Sequence, residues 1–598
     1  MEQEIGTVLI NGDDDFNKWE NNMKDLNQLV QDEELFEKEG VADEVEPIDG
    51  TYKVIPKEYK GKINTKLKGT FYANSHGKVY YEHGQGPGYS DEEIDDLIKH
   101  HDFIPVATAE ELNNVRSATL ETYGEGTKWK DKYTGGLDKK YIQVKEIDLS
   151  AYSGEGWNPI GTSSESFTGT YDGGNDVITD LEIKGEGESL QGLFGYTNGA
   201  TISNVGLIDN KVAGGDNTGG LVGGATTSTV IENSYATGSV EGTGRVGGLV
   251  GVANTKSVIK NSYAEGSVTG NESVGGLVGR AEDSTIENSY ATVSVKGSGV
   301  FSHVGGLVGE AFKSTNINNS YAIGSVEGKN EVGGLVGWAG RNIVISNSYA
   351  TGEVTGSRQV GGLVGWIRDS TKISNSYATG SVTGNDSVGG LVGEAYSGNT
   401  IENSYATGSV TGPERVGGLV GYAKEDNTIS NSYSTGSVEG EDDIGGLVGD
   451  ASTNTKISNS YATGLVKGGD DVGGLVGSAG SYWGDTTISN SYATGAVEGT
   501  GRVGGLVGSA KFGNISSSYA TGKVTGSTVG GLVGFVNSGT TVISTSYWDK
   551  ETTKQPYSRG QEASFGKSTE DMKKQETYSG WDFVNVWKIT PGNYPTLR

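Results

Sequence analysis

Between about Gln191 and Trp548 the hydrophobic and polar positions of this chain repeat one pattern. A short apolar run, Val-Gly-Gly-Leu-Val-Gly, leads through a variable loop to Thr-Ile-x-Asn-Ser-Tyr-Ala-Thr-Gly-Ser-Val-x-Gly. Gly-Gly-Leu-Val-Gly occurs twelve times, with leucine at 221, 249, 277, 307, 335, 363, 391, 419, 447, 475, 506 and 532; Gln191-Gly-Leu-Phe-Gly195 is a looser first copy. The steps are mostly 28 residues, with excursions to 26, 30 and 31. Each apolar segment is short, β-branched and broken by glycine, which predicts strands rather than helices. A fixed period in this range marks an array whose units bury their apolar faces only by stacking. The expected fold is all-β, a parallel β-solenoid of about 13 coils of ~28 residues, with about three short strands and three bends in each coil.

In such a stack every residue has its counterpart one coil away, and the columns decide the reading. Alternation along Thr285-Ile-Glu-Asn-Ser-Tyr290 puts Ile286, Asn288 and Tyr290 on one side, the expected core, and Glu287 and Ser289 on the other. Asn288, Asn319, Asn347, Asn375 and Asn403 then form a buried amide ladder that bonds from coil to coil. Tyr290, Tyr321, Tyr349, Tyr377 and Tyr405 form a packed aromatic ladder beside it. The glycine pair, such as Gly361-Gly362, predicts a place where a Cβ would collide or φ must be positive. After Leu-Val-Gly one position varies and the next is nearly always Ala, so the varying residue faces out; the same alternation leaves the valine outside.

Residues outside the array fall into three further segments. Residues 1–104 are expected to be a small α+β domain for anchoring or oligomerisation. Its helix, Asp13 to Lys38, has Phe16, Trp19, Met23, Leu26 and Val30 at 3-4 spacing. That seam fits a coiled coil, which would make the chain a homotrimer, or a helix packed on its own domain. Strands are expected around Thr51 and Lys78, and Ser90 with Glu93 is a capping box opening a helix to about His101. Residues 105–190 read as the N-terminal cap of the solenoid, 191–548 as the solenoid, and 549–598, rich in Trp and Phe, as the C-terminal cap. Open solenoid ends expose unpaired backbone, so caps are physically required.

Composition narrows the function classes. The chain carries 46 Lys and Arg against 76 Asp and Glu, a formal charge of −30. This disfavours nucleic acid and anionic membranes as partners. Glycine reaches 100 residues with only 9 prolines, and its spacing is not that of collagen. No cysteine exists to build disulfides or thiolate metal sites. No apolar run approaches the ~18 residues of a membrane span, and no signal peptide is visible.

Candidate chemistry lies on the outward positions that vary. Trp338 and Trp366 occupy the same outward place on neighbouring coils, with Tyr422 two coils on, a spacing suited to gripping a glycan by ring stacking. In the turn before Val-Gly-Gly, Asp386, Glu414, Asp442 and Asp470 stand 28 apart, with Asp443 and Asp471 beside the last two. Carboxylates aligned about 5 Å apart suit a retaining glycosidase or calcium, whose ligands are oxygens; on so acidic a chain the plain alternative is a solvated surface. His303 is the single histidine of the array, so no Ser/His/Asp arrangement arises.

The repeat resembles the GLUG-motif family, named for a Gly-Leu-x-Gly element that stands here as Gly-Gly-Leu-Val-Gly, over about 191–548. The flanks, including Ala109-Glu-Glu-Leu112, Phe167-Thr-Gly-Thr-Tyr-Asp-Gly173 and Ser546-Tyr-Trp-Asp549, are similar to those such arrays carry. The resemblance implies a bacterial surface protein of the adhesin type, or a relative of some immunoglobulin-A-cleaving metallopeptidases. The His-Glu-x-x-His of such peptidases and a Leu-Pro-x-Thr-Gly anchor are both absent from this sequence. The expected function is a non-enzymatic extracellular recognition fibre that binds a cell-surface glycan or protein. Residues 1–104 would join it to a virion tail or a cell-surface assembly. The alternatives are a glycan-degrading solenoid enzyme and a structural spacer.

Overall fold

The computed structural model describes residues 42–48, 51–56, 68–74 and 79–84 as backbone strands, and 89–119, 122–300, 302–537 and 541–598 in full. The helix expected at Asp13 to Lys38 lies outside the described residues. The chain divides into two compact units. The smaller contains an antiparallel sheet of β1 (Ala42–Ile48), β2 (Thr51–Pro56), β3 (Lys68–Asn74) and β4 (Val79–Gly84), paired in chain order. Helix α1 (Asp91–His101) follows, opened by the reciprocal Ser90–Glu93 capping box.

The larger unit, Ile104–Asp172 with Val177–Arg598, is a parallel β-solenoid. Its regular coils have four sides rather than three. In the coil built on Leu363 the strands are Arg358–Gly361, Val364–Arg368, Lys372–Ser374, and the pair Tyr377–Ala378 and Val382–Thr383. They belong to sheets of 12, 13, 16 and 26 strands, called I to IV here in chain order. Each residue pairs with its counterpart 28 positions on: Val364 with Val392, Ile373 with Ile401, Tyr377 with Tyr405.

The additional corner falls at Gly362–Leu363, inside what reads as one apolar strand. Gly361 and Gly362 are not left-handed. Close approach demands them: a Cβ on Gly361 would run into the Val364 carbonyl, and one on Gly362 into the Gly390 carbonyl and the Ala378 methyl. Because the bend interrupts alternation, Leu363 and Val364 are both fully buried, which corrects the expectation that this valine faces out. Val360, Ile367, Ile373, Ala378 and Val382 complete the core of the coil.

The asparagine and tyrosine columns require a second correction. Asn288, Asn319, Asn347, Asn375 and Asn403 all have φ between 48° and 51° and are exposed or half-exposed at the corner between sheets III and IV. A left-handed residue inverts the alternation that follows, so the next serine, not the asparagine, turns inward. Ser348 donates its N–H to Ser376 Oγ at 3.2 Å, while Ser348 Oγ donates to the Ser346 carbonyl at 2.7 Å. The same pair of bonds recurs up the stack and leaves a buried polar column fully satisfied. Some asparagines do bond along the ladder, as Asn261 does to Asn233 at 3.1 Å.

The inversion also carries the tyrosines out of the core. The alanine after each one points in: Ala350 and Ala378 are buried, while Tyr349 and Tyr377 are half-exposed on the outer face of sheet IV. Their rings stack from coil to coil at 4.8–4.9 Å and within 4° of parallel. Tyr290 is buried at 4% exposure within the ladder, and the last rungs are covered by the C-terminal segment. Trp581 and Trp587 from the C-terminal segment pack over Tyr492, Tyr519 and Tyr547, and the Tyr519 hydroxyl donates to the Pro595 carbonyl at 2.6 Å. Trp548, fully buried, closes the core end itself.

Candidate functional site

The two varied outward columns, one on sheet I and one on sheet II, meet on a single face. On sheet II the residue after Val-Gly runs in register through Arg280, Glu310, Trp338, Trp366, Glu394, Tyr422, Asp450 and Ser478. On sheet I the first strand residue runs through Asp386, Glu414, Asp442 and Asp470, as the spacing predicts. The second strand residue, among them Glu331, Gln359, Arg415, Asp443 and Asp471, is left-handed, with φ from 49° to 55°. Its side chain reaches the sheet II column: Gln359 Nε2 donates to Glu394 Oε2 at 3.1 Å, and the Arg415 guanidinium lies 4.8 Å from the Tyr422 ring centre. The outcome is one strip in which aromatic, cationic and acidic groups alternate.

At its upstream end His303 Nε2 lies 2.8 Å from Glu331, and its other ring nitrogen 3.8 Å from Glu310. Burial opposes the charged imidazole, but the bond to Glu331 and the charges of both glutamates outweigh it and raise its pKa. Trp338 and Trp366 are paired in register, with ring centres 6.1 Å apart and planes tilted by 36°. They do not stand as a parallel platform. The Trp338 ring lies over Gly340, where a Cβ would meet it at 2.7 Å, and touches His303 and Phe312. The Arg368 guanidinium sits 5.3 Å from the centre of the Trp366 ring. Both indole N–H groups are buried without a hydrogen-bond acceptor.

Downstream, the acids divide by their partners. Asp386 is held by Arg415. Asp470 is held by Arg502 at 2.8 Å, and that bond lowers its carboxyl to about 2. Asp450 stands between Tyr422 and Ser478 in its column, near enough to Asp443 and Asp471 to feel both charges. Burial, reinforced by Asp443, lifts Asp450 to about 7; burial likewise lifts Asp471 to about 6, although Arg502 and Lys511 oppose it. Carboxylate oxygens of Asp442, Asp443 and Asp471 lie within 4.8 Å of one another. These are hard oxygen donors of the kind calcium takes, but calcium draws on about six to eight. Arg502 Nε at 2.9 Å and Lys511 Nζ at 3.6 Å already neutralise Asp471. Arg415, Asp450 and Lys511, the groups that tie the strip together, were not singled out by the spacing, although arginine recurs in register with Arg415 at Arg245 and Arg502.

Among the described residues no helix is long and apolar enough to cross a membrane. Halomucin of Haloquadratum walsbyi (strain DSM 16790 / HBSQ001) is 38% identical over 90 residues, which are 14% of this chain and 1% of that protein. The chain thus spans a very small part of that relative. A solved structure described as a putative immunoglobulin A1 protease from Bacteroides ovatus aligns over 86% of this chain and 94% of its own, at 15% identity and a TM-score of 0.17. A likeness of that size carries no argument about fold or activity. The GLUG motif matches at residues 214–241, 242–269, 270–296, 328–355, 356–383, 384–411, 468–498 and 499–525. With eight copies of that motif laid coil upon coil along a parallel β-solenoid, the chain belongs to the GLUG-repeat family.

Proposed function

We propose that this chain is a non-enzymatic recognition fibre of an extracellular surface, binding a cell-surface glycan or protein along the strip of sheets I and II. One observation carries the reading. The outward positions that differ from coil to coil converge on this strip, whereas the asparagine and tyrosine columns repeat one residue for its backbone or stacking geometry. Half-buried aromatics flanked by guanidinium and carboxylate groups supply apolar contact and directional hydrogen bonds together, the mixture found at protein recognition surfaces. Residues 1–104 would join the fibre to a virion tail or a cell-surface assembly, as a trimer if the seam at Phe16–Val30 is a coiled coil. Light scattering tests that last point: a monomeric intact chain excludes it.

The test of recognition is a glycan array and whole-cell binding assay on the parent and on Trp338→Ala, Trp366→Ala and Tyr422→Ala. Loss of binding with an unchanged melting curve supports the strip; full binding by the triple variant removes it. A second reading, a glycan hydrolase, draws on Asp450, whose carboxyl burial lifts to about 7 as a general acid requires, with Asp443 near it as the second carboxyl group. Release of reducing ends by the parent, abolished in Asp450→Asn, would decide for the enzyme.

A further inference from the structure

The 31-residue step from Leu475 to Leu506 places its insertion at the corner between sheets II and III. Neighbouring coils turn that corner with polar pairs such as Asp369-Ser370, Glu425-Asp426 and Thr453-Asn454. Here the chain instead runs Gly480-Ser-Tyr-Trp-Gly-Asp485, and it leaves Tyr482 81% and Trp483 82% exposed, the largest exposures among the big hydrophobic side chains of the described residues. A single exposed apolar residue needs no explanation, but Tyr482 and Trp483 stand side by side with Phe512 beside them, and it is contiguous apolar surface that marks interaction sites.

The rings are held, not dangling. Ser481 and Gly484 exchange backbone hydrogen bonds of 3.1 and 3.2 Å, closing a miniature hairpin. Ser481 Oγ lies 2.9 Å from Thr453 Oγ1 in the coil before and accepts from the Trp483 N–H at 3.3 Å. Gly480 takes a left-handed φ of 80° and donates its N–H to Thr486 Oγ1 at 3.0 Å. Tyr482 meets Trp483 edge to face, with ring centres 5.5 Å apart and planes at 85°, and its other neighbour is Phe512 at 6.3 Å. Such a fixed pair loses little conformational freedom on binding.

The surroundings specify the partner's chemistry. Around the base of the hairpin stand the Ser481 and Thr453 hydroxyls, the Asp485 carboxylate, and Asn454, whose amide donates to Asp426 at 3.1 Å. Lys511, next to Phe512, reaches away to Ser478 and Asp471, so its charge is spent inside the strip. The finger therefore offers ring faces with hydroxyl, amide and carboxylate groups, and no basic side chain of its own. That combination fits a sugar ring, whose C–H face stacks on an aromatic while its hydroxyls bond to carboxylate and amide. With a chain charge of −30, anionic bilayers and anionic polysaccharides are repelled.

We propose that Tyr482 and Trp483 form a second carbohydrate-contacting site, at the downstream border of the strip, which takes an uncharged sugar residue of a glycan chain. This rests on the reading of the protein as a recognition fibre, but it is separable from it. The experiment titrates the full chain with dextran, mannan, laminarin and chitohexaose as neutral probes, alginate as an anionic control and phosphatidylcholine vesicles as a membrane control, following binding by calorimetry. The expected result is that at least one neutral probe binds, that Tyr482→Ala and Trp483→Ala each weaken it at least tenfold, and that the melting temperature stays within a degree. Trp338→Ala, carried in parallel, reports on the strip alone, so loss there with full binding at the finger, or the reverse, tells the two readings apart. Binding of no neutral probe, equal binding by the Tyr482→Ala/Trp483→Ala double variant, or Trp483-dependent binding to the vesicles alone would overturn the proposal.

Discussion

On sheet IV the coils built on Leu335, Leu363, Leu391 and Leu419 all carry tyrosine, and Tyr349, Tyr377, Tyr405 and Tyr433 stack ring on ring at 4.9 Å. On sheet II the same four coils carry Trp338, Trp366, Glu394 and Tyr422, joined by tilted rings, a cation over a ring and an amide–carboxylate bond. The backbone beneath both columns is equally regular. A column whose residue never changes is explained by what it does for its neighbours one coil away. A column whose residue changes at nearly every step cannot be explained that way, and its side chains are tied instead to left-handed residues on sheet I. Repetition marks what holds the solenoid together, and variation marks the strip we propose for recognition.

The largest expected break of this contrast comes at the repeated glycines. Gly361→Val forces a side chain into the Val364 carbonyl, so chemical denaturation should register a loss of about 3 kcal/mol or more across that coil. A loss below ~1 kcal/mol would mean the close approach can relax. Next is the buried serine ladder: Ser376→Ala leaves the Ser348 N–H without its acceptor and should cost about 1–3 kcal/mol in the same assay. An unchanged denaturation midpoint would show that the ladder is not structural.

The acids of the strip sharpen the comparison through pH. Asp450 is raised to about 7, facing Asp443, Asp471, Lys511 and Arg415. The folded state therefore keeps a proton that the unfolded chain releases near 4, so this group's contribution to stability is full below about 4 and is lost as pH rises toward 7. Asp471, raised to about 6, acts in the same direction, while Asp470, lowered to about 2, adds stability as pH rises from about 2 to 4. Asp450→Asn should be more stable than the parent at pH 8, by roughly 1 kcal/mol since the side chain keeps some solvent, and its melting should vary less between pH 4 and 8. A parent and variant with identical pH profiles would contradict it. The smallest effect is expected at the exposed asparagines: Asn375→Gly keeps the left-handed corner and should shift stability by under about 0.5 kcal/mol, whereas an inward-facing amide would register far more.

Much of the fold was legible because a solenoid translates a period into a stack directly. The 28-residue step implied parallel register, and the acid ladder from Asp386 to Asp470 could be read from spacing alone. Side assignment was less accessible. Simple alternation predicts one face for Ile286, Asn288 and Tyr290, but the left-handed φ at Asn288 inverts everything after it, and the bend at Gly362–Leu363 adds a fourth side and buries Val364. Both are backbone events that asparagine and glycine permit without announcing. At the candidate site the aromatic and acidic columns were visible separately. Their convergence, and the parts of Arg415, Asp450 and Lys511, depend on contacts between sheets that no spacing encodes. The insertion holding Tyr482 and Trp483 left a trace, the 31-residue step, which by itself says only that something protrudes.

In the proposed division of labour the varied strip recognises a ligand while the repeated columns only build the rod. Its most direct test is binding of the full chain to intact bacterial cells and a glycan array, comparing the Trp338→Ala/Trp366→Ala/Tyr422→Ala variant with Tyr349→Ala/Tyr377→Ala on the opposite rule. We expect the strip variant to lose binding at least tenfold with its melting temperature preserved, and the tyrosine variant to melt earlier but bind as the parent does. Equal binding by parent and strip variant, or loss confined to the tyrosine variant, would contradict it.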